Sequence, residues 1–256
     1  MKRILLYAVF LCSIKIGLGQ TISTSSAPVK TVFAFGGDWN KDFIRYIAGL
    51  TKKDRPKICF LPTASADNPY AIGYWYEMCV NLPVEPSVLR TFINSSPGQK
   101  RFEETLLSVD AILVGGGNTL NMIAIWKAQG IDTVLKKAYE KGIVLAGGSA
   151  GSLCWFKSGL SDSRPQKLSI VECLGFINAS HCPHYSSEKT RRPLYMKNIQ
   201  EGKLLPGYAC DDLAGMLFQN GKFIKAVTLN KSNNAYYVSL KEGKIEEQDL
   251  HAELIK

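Results

Sequence analysis

The 256-residue sequence is short of histidine, with three, and none of its seven cysteines forms a C-x-x-C pair. That absence removes zinc-ribbon and thioredoxin-type motifs. No run of five or more Lys/Arg occurs, although 31 basic residues face 22 acidic ones and the formal charge is +9. Nucleic-acid binding therefore has no concentrated basic patch to rest on. The scattered positive balance suits solubility or the attraction of acidic small molecules. There is no internal repeat and no low-complexity tract. Hydrophobic residues at 46% and charged residues at 21% exclude disordered, collagen-like and coiled-coil classes. The length suits one core and one domain over residues 30–256.

No apolar run is as long as a membrane span. Ile4 to Leu18 is about 15 residues, short for crossing a bilayer. It follows Met1-Lys2-Arg3 and ends in Gly17-Leu18-Gly19. A positive start, an apolar stretch and small residues at the end describe a secretory signal peptide over residues 1–19, cut before Gln20. An uncleaved anchor is the alternative. Residues 20–29 then form a polar tether. The expectation is an exported protein with no stable membrane insertion after cleavage. Export permits disulfides, and Cys173, Cys182 and Cys210 could form one bridge. Cys59, Cys79 and Cys154 sit in apolar segments, where a free thiol packs as a small core residue.

Short apolar runs bounded by Gly or Pro recur at Thr31 to Phe35, Lys57 to Leu61, Val88 to Ile93, Ala111 to Val114 and Ile143 to Ala146. They read as strands buried on both faces of a parallel sheet. Helical spacing fills the gaps at Asp42 to Leu50, Asn118 to Gln129 and Ile131 to Glu140. The alternation predicts an α/β fold, a three-layer sandwich with a mostly parallel sheet. Near the C-terminus, Asn220-Gly221 separates Met216 to Gln219 from Lys222 to Leu229, a two-residue hairpin signal. Ala235 to Leu240 and Gly243 to Leu250 read as a second antiparallel pair. Both hairpins are expected to extend or cap one sheet edge.

Gly147-Gly148-Ser149-Ala150-Gly151 follows a buried strand and precedes helix-compatible residues from Ser152 to Phe156. This is G-x-S-x-G in a strand-turn-helix setting, where the tight bend demands small neighbours and exposes a nucleophile. The amide of Ala150 can then help to hold an oxyanion. The plainer reading is a Gly-rich turn in which Ser149 caps a helix. Gly115-Gly116-Gly117-Asn118-Thr119 is the second Gly-rich element. It lacks the third glycine of a dinucleotide fingerprint and the Walker lysine, so no cofactor is implied. Its alternatives are a simple turn or a second oxyanion donor at the Gly117 amide.

A serine nucleophile needs a base. Only His181, His184 and His251 are available. His251 lies in a polar tail. Pro183 breaks any helix between His181 and His184, which speaks against a metal pair. His184 stands at the end of a strand and is the better base. The orienting acid is open among Asp162, Glu172, Glu188, Asp211 and Asp212. Asp162, in a turn-rich segment after the nucleophile, is the best placed. Arg191-Arg192 follow His184, and guanidinium forks bind carboxylates. With Asn118 and Glu188 they make up the candidate substrate-binding set.

Taken together, the segments around Gly115, Ser149 and Cys182-Pro183-His184-Tyr185 resemble those of the S51 serine peptidases, which include peptidase E (aspartyl dipeptidase) and cyanophycinase. The resemblance spans roughly residues 30–230. It implies a fold like the class I glutamine amidotransferases, with Ser149 as nucleophile, His184 as base and the Gly117 and Ala150 amides as oxyanion hole. It also implies Asp162 as acid, at slightly shorter spacing than in peptidase E. Arg191, or Arg192 in its place, would read the side chain of an N-terminal Asp. A small peptide is the implied partner, and a homodimer is compatible. The export signal and the Ser161-Asp162-Ser163 and Arg191-Arg192-Pro193 segments depart from the common pattern. The alternatives are cyanophycinase-like cleavage of β-aspartyl peptides, an α/β-hydrolase esterase, and a catalytically silent binding protein. An esterase would place more than 35 positions between serine and histidine, and a silent site would not react with a serine-directed inhibitor.

Overall fold

The computed structural model describes residues 27–255, so the expected signal peptide and most of the tether lie outside the described residues. Through the first half, strands and helices alternate in the order β1 (Thr31–Phe35), α1 (Lys41–Leu50), β2 (Lys57–Leu61), α2 (Pro69–Cys79), β3 (Glu85–Val88), α3 (Phe102–Leu106), β4 (Ala111–Val114), α4 (Thr119–Gln129), α5 (Ile131–Glu140), β5 (Val144–Gly148) and α6 (Ala150–Leu153). The second half holds β6 (Phe156–Ser161), β7 (Ser169–Glu172), β8 (Ile177–Cys182), α7 (Arg191–Gln200), β9 (Gly207–Cys210), β10 (Ala214–Gln219), β11 (Lys222–Thr228), β12 (Ala235–Lys241), β13 (Lys244–Asp249) and β14 (Glu253–Leu254).

Eight strands form the main sheet in the order β14-β11-β10-β1-β5-β4-β2-β3. From β1 to β3 all pairs are parallel. Alternation along β1 shows why helices cover both faces. Phe33 and Phe35 pack on α1 through Phe43, Ile44 and Ile47. Val32 and Ala34 face the cluster that holds Met122, Trp126, Leu135 and Ala138 of α4 and α5. A strand buried on both sides has no polar positions to spare, which explains its continuous apolar run. Asn40 caps α1, its side chain accepting from the Asp42 and Phe43 amides.

Two expectations shift. The strand expected at Val88 to Ile93 lies earlier, at Glu85–Val88. Buried Asp67 explains the early end, since its carboxylate takes the Thr91 and Phe92 amides at 2.5 and 2.7 Å and draws them off the sheet. Pro86 is tolerated because β3 is an edge strand. The helix after Ser149 stops at Leu153, and Phe156 opens a strand.

That strand belongs to a second sheet, β13-β12-β9-β8-β6-β7. β6, β8 and β9 are parallel in this sheet, and the outer strands are antiparallel. The expected C-terminal hairpins divide between the sheets. β10 and β11 extend the main sheet beside β1, and β12 and β13 close the second. All six described cysteines are free, so no bridge joins Cys173, Cys182 and Cys210. Among the described residues no helix is long and apolar enough to cross a membrane.

Candidate active site

Strands β1, β4 and β5 are parallel neighbours, so their carboxyl ends meet at one edge of the sheet, where ligands bind in open α/β folds. β5 ends there at Gly148, and the chain bends through Ser149 into α6. Ser149 has φ +52° and ψ −117°. A non-glycine residue in that region costs about 1–3 kcal/mol and persists only where its surroundings hold it. Here the holding is close backbone packing. A methyl group on Gly148 would lie 2.1 Å from the Gly37 carbonyl oxygen, and one on Gly151 would lie 2.1 Å from that of Val114. The Ser149 amide donates to Phe35 at 3.3 Å, and its carbonyl accepts from Ser152 and Leu153. The bend therefore presents the hydroxyl at a fixed point.

His184 Nε2 lies 2.8 Å from Ser149 Oγ. The imidazole arrives from the loop after β8, in the second sheet, with a backbone φ of +54°. The Tyr185 amide donates to Cys210 at 3.2 Å and ties this loop to the end of β9. On the far side of the ring, Nδ1 lies 2.6 Å from Asp212 Oδ1. With Nδ1–H donating to the carboxylate, Nε2 has a free lone pair to accept the serine proton, and the carboxylate stabilises the imidazolium that follows.

The carboxylate bonded to His184 is therefore Asp212 and not the expected Asp162. β8 lies between β6 and β9. Asp162 leaves β6 on one side of His184, and Asp212 leaves β9 on the other. The imidazole turns to the β9 side. Asp162 is 69% exposed and comes only to 3.9 Å from Arg191 Nη2. A signal for Asp212 lies in the strand register. Cys182 pairs with Ala209, so continuing along the two strands brings His184 level with Asp211 and Asp212. The sequence places His184 at a strand end but carries no signal for β9, a short strand of Gly, Tyr, Ala and Cys, so that register is not visible in it.

His181 has a different place. It is fully buried, stacked on Phe156 at 4.4 Å. Burial pushes its pKa down to about 3, so it is neutral, with Nδ1–H donating to the Tyr208 carbonyl at 3.0 Å and Nε2 accepting from Ser152 at 2.9 Å. His251 is exposed, far along the chain at the edge of β13.

Among the described residues, the Gly116, Gly117 and Ala150 amides donate to no protein acceptor. Gly117 has φ +132°, which only glycine adopts without strain, and packs on the Ala64 carbonyl. Gly116 is the glycine that faces Ser149. A methyl group there would sit 3.2 Å from Ser149 Cβ and 3.6 Å from its Oγ.

The expected substrate contacts are already engaged within the protein. Asn118 caps α4 through the Asn121 amide and donates to the Ser163 carbonyl. Arg191, 2% exposed, forms a two-pronged pair with Glu188 at 2.7 and 3.1 Å and donates to the Leu160 carbonyl. Arg192 pairs with Glu247 and lies over the rings of Tyr185 and Tyr236. Beside Ser149, Asp38, Trp39, Phe60, Tyr74 and Gly116 line a cleft of about 270 Å³, which the sequence reading did not single out.

The family model for peptidase family S51 matches residues 32–226. The chain is 38% identical over 225 residues to the uncharacterised peptidase YgaJ of Bacillus subtilis (strain 168), a match covering 86% of this chain and 96% of the relative. Among solved structures it is similar to a peptidase from an acI-B1 actinobacterium, with TM-score 0.67 and 14% identity over 88% of this chain and 95% of the other. It is also similar to a peptidase E candidate from Listeria monocytogenes EGD-e, with TM-score 0.60 and 18% identity over 79% of this chain and all of the other. At those identities the likeness is one of fold. The family model and the Bacillus relative carry the assignment: the chain belongs to peptidase family S51.

Proposed function

We propose that the protein is a serine peptidase that hydrolyses short peptides through an acyl-enzyme on Ser149. The observation that carries this reading is the pair of bonds on His184, to Ser149 on one nitrogen and to Asp212 on the other. Ser149 Oγ attacks the peptide carbonyl carbon as its proton passes to His184 Nε2. The carbonyl oxygen, now negative, takes hydrogen bonds from the Ala150 amide and from an amide of the Gly116-Gly117 pair. The C–N bond then breaks, and His184 gives the proton to the departing amine. Water repeats the sequence on the ester and frees Ser149.

The aspartyl preference implied by the family resemblance depends on Arg191. That guanidinium is balanced by Glu188 and has Asp162 nearby. An acidic side chain would have to displace Glu188, which is 43% exposed on its side chain and has room to move. The same holds for a β-aspartyl peptide, so α- and β-aspartyl dipeptides belong in the first substrate panel beside neutral ones.

The test is hydrolysis of that panel by the native chain and by Ser149→Ala. Loss of at least one substrate's turnover by about 10⁴-fold or more is expected. Unchanged turnover in Ser149→Ala would remove the nucleophile and the mechanism with it.

A further inference from the structure

We propose that the cleft beside Ser149 is a subsite for an organic cation, an ammonium or guanidinium group of the peptide, held by Asp38 against an aromatic wall. The proposal rests on Ser149 being the nucleophile. Asp38 is exposed and, among the described residues, its carboxylate makes no hydrogen bond or ion pair. It is close to the reacting centre. A methyl group built on Gly116 would lie 3.3 Å from Asp38 Oδ1 and 3.6 Å from Ser149 Oγ. The carboxylate and the hydroxyl therefore border the same carbon-sized gap beside Gly116.

The rest of the cleft suits the same ligand. Trp39 is nearly buried, with its ring centroid 5.0 Å from that of Tyr74 and 5.1 Å from that of Phe60. Aromatic faces attract a cation through their quadrupoles and repel an anion. The two guanidinium groups that could favour an anion near His184 are held by Glu188 and Glu247. Asp38 is thus a carboxylate in the cleft's lining without a cationic partner among the described residues, and a ligand that balances it is positive.

Two parts of a peptide carry that charge. The α-ammonium of a first residue lies two bonds from the attacked carbonyl carbon, a reach matched by the Gly116 gap. A Lys or Arg side chain would carry its charge farther into the aromatic cleft.

Binding separates these sources without requiring turnover. In a Ser149→Ala background, calorimetry compares lysyl-leucine, norleucyl-leucine and N-acetyl-norleucyl-leucine. The expected result is that the peptides with a positive charge bind about 10- to 100-fold more tightly than the acetylated one, and that Asp38→Asn removes this ratio. A loss on acetylation identifies the α-ammonium, and a further loss from lysyl to norleucyl identifies the side chain. Tyr74→Leu, at the exposed wall, should reduce the same ratio and leaves the fold's buried aromatic cluster in place. The proposal is overturned if the acetylated peptide binds as tightly as the charged ones, if none binds, or if Asp38→Asn leaves the ratio unchanged. The nucleophile reading fails separately, through retained hydrolysis by Ser149→Ala with Asp38 intact.

Discussion

Asp212 Oδ1 lies 2.6 Å from His184 Nδ1, although the two residues come from loops after different strands of the second sheet. That sheet positions both His184 and Asp212, and the main sheet positions Ser149. The candidate site is therefore a junction between the sheets, and it depends on their mutual packing as much as on either alone.

Asp212→Asn keeps the shape of the side chain and removes the charge that favours the Nδ1–H tautomer. Loss of about 10³- to 10⁴-fold in kcat is expected, with little change in KM. Asp162→Asn, made in an exposed side chain, should stay within a few-fold of the native rate. Steady-state kinetics on one peptide checks both. An equal loss in the two variants would contradict the geometry.

Gly116→Ala would put a methyl group in the gap between Asp38 and Ser149, 3.3 Å from the carboxylate and 3.2 Å from Ser149 Cβ. These distances are tight without being a clash, so the fold should survive while the approach to the hydroxyl narrows. We expect kcat/KM to fall at least 10-fold, with a stability loss of no more than about 1–3 kcal/mol from the added methyl pressing on the fixed elbow. Melting curves measured beside kinetics separate the two effects.

His181 gives a dependence of stability on pH. Burial lowers its pKa to about 3 in the folded chain, whereas the unfolded chain binds a proton near pH 6.5. Between these values the unfolded state holds the extra proton. This contribution is thus complete above about pH 6.5 and is lost as pH falls toward 3, with a slope of up to about 1.4 kcal/mol per pH unit. Urea unfolding of the native chain and of His181→Gln between pH 4 and pH 7 should show a shallower slope in the variant. Parallel slopes would place the acid sensitivity elsewhere.

Much of the main sheet was legible in the sequence because its strands are buried on both faces, so they appear as unbroken apolar runs such as Thr31–Phe35 and Ala111–Val114. The elbow at Ser149 was legible because close packing admits only small residues beside it. Asn220-Gly221 marked the β10–β11 hairpin through its turn chemistry. Of the second sheet the outer β12–β13 pair was legible, but its inner strands were not. Ile177–Cys182 and Gly207–Cys210 contain Asn, Ser, His and Gly, and their buried polar groups are satisfied by partners distant in sequence, such as Ser180 with Tyr195. Local pattern carries no trace of such partners. In the sequence Asp212 is therefore one of several acids, and nothing local marks the pairing of Arg191 with Glu188, three positions before it. Asp38 and Trp39 passed unnoticed because they follow a strand end with no motif to mark them.

The most direct measurement of the central claim is intact-protein and peptide mass spectrometry after treatment with a small fluorophosphonate. The account predicts one label per chain, located on Ser149, absent in Ser149→Ala and slowed by orders of magnitude in His184→Ala. A chain that hydrolyses peptides yet takes no label, or takes it on another residue, would contradict it.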